Sequence, residues 1–103
     1  MKITWSFSAL EMLADLHEYI SEENESAADK YIDGIYKSVE KLEKHPESCA
    51  PCRNDKLKEE GYRCCNFRNH IIIYEFLAGE VNILAVIHSK RNPSGIKDSL
   101  KDE

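Results

Sequence analysis

A chain of 103 residues has room for one small domain, expected to span residues 1–103, and not for two. With 42% hydrophobic and 32% charged residues the composition excludes a disordered chain, and no apolar run reaches the roughly 18 residues a membrane helix needs. The net charge of −5 is uneven, eleven acidic side chains against four lysines over residues 8–47 but seven basic against five acidic over 53–91, which argues against a general nucleic-acid binder and leaves space for a local cationic site.

KITWS (2–6) alternates Ile3 and Trp5 and predicts a short first strand. No signal-peptide h-region is present near Met1, so the chain is expected to stay in the cytoplasm. Ser8 and Glu11 have capping-box spacing at a helix start. Ala9, Met12, Leu13, Leu16, Tyr19 and Ile20 follow at helical spacing, with Glu11, Asp15, Glu18 and Glu22 on the other side. After SEENES, Ser26 and Asp29 mark a second start, and Ala28, Tyr31, Ile32, Ile35, Val39 and Leu42 form a second stripe that Pro46 ends. Two amphipathic helices joined by so short a loop predict an antiparallel hairpin.

HPESCAPCRNDKLKEEG (45–61) reads as loop. It holds two of the four cysteines, Cys49 and Cys52, at a zinc-like spacing; Cys64 and Cys65 follow. Zinc needs four ligands, whereas adjacent residues on a strand point to opposite faces, so at most one of Cys64 and Cys65 joins the first pair. Reduced, ordinary thiols are expected, with no metal and no cofactor.

YRCCNF (62–67), HIIIYEF (70–76) and VNILAVIH (81–88) predict three antiparallel strands, the last two joined near Gly79. Three consecutive isoleucines place the middle strand inside the sheet. The last strand breaks directly into His88, Ser89, Lys90 and Arg91, and Pro93 closes the stretch. Residues 94–103 predict a short helix or a disordered tail. The sum is a two-layer α+β domain, an N-terminal strand and an antiparallel helix hairpin packed on a small antiparallel β-sheet, with Arg63 on the sheet face away from the helices.

Arg63, a cation inside a strand, is the foremost candidate for contact with a partner. Lys90 and Arg91 suit an acidic partner and equally a solvated strand end. His88 reads as a general acid–base group or as a strand cap, histidine being the side chain that titrates nearest neutral pH. Lys56 and Lys58 precede the first meander strand and reach toward the same edge. Tyr74 and Trp5 read as core.

WSFSALEMLADLHEYISEENESAADKYIDGI, LEKHPES, GYRCCNFRNHIIIYEF and VNILAVIHSKRNP, in this order, resemble the RelE/ParE superfamily of toxins from bacterial toxin–antitoxin modules over residues 3 to about 93. The resemblance implies a cytoplasmic, growth-inhibiting protein of the plasmid-stabilisation type, with a cognate antitoxin as partner. RelE-like members cut ribosome-bound mRNA without a metal. Their two first-strand lysines match Arg63 and Cys65, an arginine of the next strand falls near Ile71, and a cation after the last strand is kept as Lys90 or Arg91. If the chain is a ribonuclease, Arg63, His88 and Arg91 are its catalytic set, but two of the four matching places are not cationic. ParE-like members poison DNA gyrase and lack that set. The single Arg63, the isoleucine-rich strand ending in Tyr74 and His88-x-x-Arg91 resemble this branch more closely.

Overall fold

In the computed structural model, which describes residues 2–90, the chain turns from strand to helix at Ser6. Strand β1 (Lys2–Trp5) ends there, and helix α1 (Phe7–Ser21) begins. The Ser6 hydroxyl accepts the Ala9 N–H at 3.0 Å and donates to Leu84 O at 3.1 Å, so one side chain caps the helix and ties it to the far end of the sequence. The cap therefore lies two residues before Ser8. Asn24 likewise displaces Ser26 as the cap of α2 (Glu25–Glu40), its Oδ1 accepting the Ala27 N–H at 3.0 Å. A single 3₁₀ turn, Lys41–Glu43, carries the chain beyond α2 before Pro46.

One short helix lies where the sequence reads as loop. Helix α3 (Asp55–Glu59) is capped by Asn54 and buries only Leu57. Strands β2 (Arg63–Phe67), β3 (His70–Leu77) and β4 (Glu80–His88) then form the expected antiparallel meander. The sheet order is β1-β4-β3-β2, with β1 parallel to β4, so the sheet is mixed rather than wholly antiparallel. Parallel pairing needs a long crossover, and α1, α2 and the meander together supply it. β3 is an interior strand, as its isoleucines require.

A bulge between Ile73 and Tyr74 leaves Leu84 without a partner and shifts the alternation of β4, so that Val81, Ile83 and Val86 share one face. There they meet Ala9, Leu13, Ile35, Val39 and Leu42 of the helices, with Ile72, Tyr74 and Cys65. The opposite face is not left open: Leu57 of α3 and Cys52 pack with Ile73, Leu84, Ala85 and Ile87. Tyr74 is core, fully buried, and its hydroxyl donates to Pro46 O at 2.7 Å. Trp5 packs half-buried against the same core and stacks tilted on Tyr36.

The cysteines correct the reading of free thiols. Residues 50–52 run antiparallel along the outer edge of β2, with Cys52 N–H bonded to Tyr62 O and Cys64 N–H to Ala50 O. This places Cys49 against Cys65 on the helix side and Cys52 against Cys64 on the other side, and both pairs are disulfides. Adjacent cysteines that face opposite ways cannot share a partner, but each finds its own across the edge. Arg91 and the tail 94–103 lie outside the described residues. Among the described residues, no helix is long and apolar enough to cross a membrane.

Candidate functional site

The strand exit is assembled by register. Phe67 pairs with His70, and His70 with His88, so the β2–β3 turn and the end of β4 lie side by side. Ser89 N–H bonds Asn69 O at 2.8 Å and fastens the two segments together. The turn itself is tight, and Arg68 at its tip has a φ of 51°, in the left-handed region that a side chain enters at a cost of about 1–3 kcal/mol. Its guanidinium stands 6.0 Å from the Tyr31 ring centre and 5.8 Å from that of Phe67, a cation–π placement that offsets part of the cost.

His70 and His88 meet edge to face with ring centres 5.3 Å apart. Behind them the Tyr31 hydroxyl lies 2.6 Å from His70 Nδ1. Which of the two groups donates in this pair follows from the tautomer of the imidazole. Burial, and then the charge of His88, lowers the His70 pKa below the ordinary histidine value; burial raises that of Tyr31, against the Asn69 bond and the Arg68 charge. His88 is exposed, and its Nδ1 accepts the Lys90 N–H at 3.1 Å. The result is an exposed end carrying Arg68, His88 and Lys90 around a half-buried His70, on an acidic molecule.

The low His70 pKa has a consequence for stability. The unfolded chain binds a proton at His70 near pH 6.5 while the folded chain still resists it, so this contribution is present above pH 6.5 and is lost as pH falls through the folded value. Urea unfolding of the parent and of His70→Gln at pH 7 and pH 5 is expected to show the parent losing more stability on acidification. Equal losses in the two proteins would refute the assignment.

Arg63 stands elsewhere. Its register partner is Tyr74, itself opposite Ile83, five residues before His88, and it lies on the helix side, not on the opposite face. Its Nη1 donates to Cys49 O at 2.7 Å and its Nη2 lies 3.7 Å from a Glu47 carboxylate oxygen, with the side chain only 24% exposed. This guanidinium holds the 45–49 loop. Arg63→Ala is expected to cost about 1.5–3 kcal/mol, the range for a hydrogen bond to a charged group, with the exposed Glu47 contributing little. A urea midpoint unchanged from the parent's would return Arg63 to the free cations. Lys56 and Lys58 are exposed on α3, which leads into β2 at the Arg63 end through Tyr62 N–H bonded to Leu57 O.

The structure thus unites His88 and Lys90 and separates them from Arg63. It adds Arg68, His70 and Tyr31, none of which sequence reasoning placed at this end. The signal for them was present in FRNH, where two turn residues between strands put Phe67 opposite His70.

A solved structure of the chromosomal ParDE TA system from P. aeruginosa superposes on the chain with a TM-score of 0.73 at 18% sequence identity, covering 87% of this chain and 97% of that one, a likeness of fold. No curated protein matches the sequence. The family model described as the ParE toxin of type II toxin–antitoxin system, parDE, matches residues 3–93. With nearly all of the strand–hairpin–meander inside that match, the chain belongs to the ParE toxin family of type II toxin–antitoxin systems.

Proposed function

We propose that this toxin arrests growth by acting on DNA gyrase, that a cognate antitoxin protein neutralises it in the cytoplasm, and that residues 1–103 act as one domain. The contact surface in this reading is the cationic end, with Arg68, His88 and Lys90; Arg91, beyond the described residues, is assigned to it from the sequence alone. Membership of the ParE family supports it, and the placement of Arg63 is the observation that carries it. The residue matching the first-strand catalytic position of RelE-like ribonucleases is engaged with Cys49 O and Glu47, away from His88. A protein-binding end needs no such cation beside the histidine.

The His70–His88 pair favours a second reading, a metal-independent ribonuclease acting on ribosome-bound mRNA, because two imidazoles side by side suit proton transfer to and from a phosphodiester. Inducing the chain without its antitoxin separates the two. Early failure of DNA synthesis with double-strand breaks supports gyrase as target. Early failure of translation with site-specific mRNA cuts bearing cyclic phosphate ends supports the ribonuclease.

A further inference from the structure

Between α3, the 50–52 segment and the helix-free side of β2 lies a cavity of about 320 Å³, walled by Pro51, Cys52, Arg53, Leu57, Cys64 and Asn66 among others. Two of these residues are the halves of one disulfide, Cys52–Cys64. Cys52 is buried, at 1% exposure, whereas Cys64 is half-buried, so an incoming group reaches the bond from Cys64. Arg53, exposed, is the charged residue of the wall. The other disulfide has different surroundings. Cys65 is packed into the helix-side core, and Cys49, half-buried like Cys64, does not line the cavity and belongs to the loop segment that carries the Glu47 carboxylate and is bonded by Arg63.

We propose that this cavity is a thiol-exchange site for a low-molecular-weight anionic thiol, which opens Cys52–Cys64 ahead of Cys49–Cys65. The carboxylates of such a thiol meet Arg53, and its thiolate attacks Cys64 Sγ. A sulfur–sulfur bond forms between thiol and Cys64, the Cys52–Cys64 bond breaks, and Cys52 leaves as a thiolate that takes a proton from water. A second thiolate attacks the bound thiol's sulfur and releases Cys64. Two thiols are then oxidised to their disulfide and the protein bond is reduced by two electrons. The 45–49 side stays fixed by Cys49–Cys65, by Arg63 on Cys49 O and by Tyr74 on Pro46 O, while the α3 side loses its covalent tie.

The test treats the oxidised full chain with glutathione, traps free thiols by alkylation over time and maps them by mass spectrometry. Cys52 and Cys64 are expected to open first, with the mixed disulfide on Cys64. Arg53→Ala is expected to slow opening by glutathione about threefold, below the roughly fivefold that one unit charge in direct contact contributes in a water-like dielectric, and Arg53→Glu to slow it further. Opening by 2-mercaptoethanol, whose thiolate carries the attacking charge but no carboxylate, should slow less than opening by glutathione in both variants. The proposal is overturned if both disulfides open together, if Cys49 carries the first mixed disulfide, if the Arg53 variants respond alike to both thiols, or if air-oxidised protein retains four free thiols.

Discussion

Replacing Cys49, Cys52, Cys64 and Cys65 together by alanine is expected to remove about 3–5 kcal/mol of stability from the oxidised protein, a large part of the roughly 5–15 kcal/mol by which domains of this size are stable. The bridges span 16 and 12 residues, and a loop of about 15 residues contributes about 3 kcal/mol in the chain-entropy account. The shorter loop lies inside the longer, so the second bridge restricts an ensemble already restricted by the first, and the two contributions add only in part. Little else holds the segment along β2, since it shares two backbone hydrogen bonds with Tyr62 and Cys64 and α3 buries Leu57 alone. Urea unfolding of the oxidised parent, the reduced parent and the alanine variant measures the effect. A variant as stable as the oxidised parent would mean that the disulfides only decorate a loop already fixed by Arg63 and Tyr74.

Reversing Lys90 and Arg91 together, Lys90→Glu with Arg91→Glu, is expected to abolish growth arrest while leaving the fold intact. Lys90 is exposed, and an exposed charge contributes about 0–1 kcal/mol to stability, so the urea midpoint should barely move. Encounter with an acidic surface responds far more strongly, because the change replaces two attractive charges by two repulsive ones on a molecule already at −5. His88→Ala adds a second readout: toxicity falls slightly if His88 lies beside a protein contact and is lost if it transfers a proton. Undiminished arrest by the reversed variant at parental expression would leave the strand exit as a solvated end.

The hairpin was legible because it buries one continuous stripe, and a stripe has a period, whereas the meander strands, packed on both faces, were legible as apolar runs between turn residues. Ile35, Val39 and Leu42 recur at helical spacing, and Ile71 to Ile73 fit no exposed strand. Caps were legible only to within two residues, since SFS and NES each offer two polar residues with cap chemistry, and the Ser6 bond to Leu84 O is a long-range contact that no local pattern contains. Helix α3 was missed because five residues with one buried leucine make no stripe.

The disulfides were misread for a different reason. Compartment logic led to free thiols, although the spacings held the answer: residues three apart on one extended segment, and residues one apart on its neighbour, both fall on opposite faces. Arg63 was misplaced by the same alternation, since it shares a face with Cys65, whose core packing a tertiary structure reveals and a sequence does not. His70 was not placed at this site because it opens a strand and its partner Tyr31 is 39 residues away.

The joining of Ser6 to Leu84 across a separation of 78 residues also orders the birth of the protein. The helix hairpin can close through local contacts soon after it leaves the ribosome, whereas β1 waits for Glu80 to Ile83, its register partners, which are made 78 residues after it. Until then the first strand lacks its place in the sheet, and the strand exit at His88 and Lys90 has still to be made. The interval before closure is time in which a partner already present in the cell can reach the chain ahead of its target.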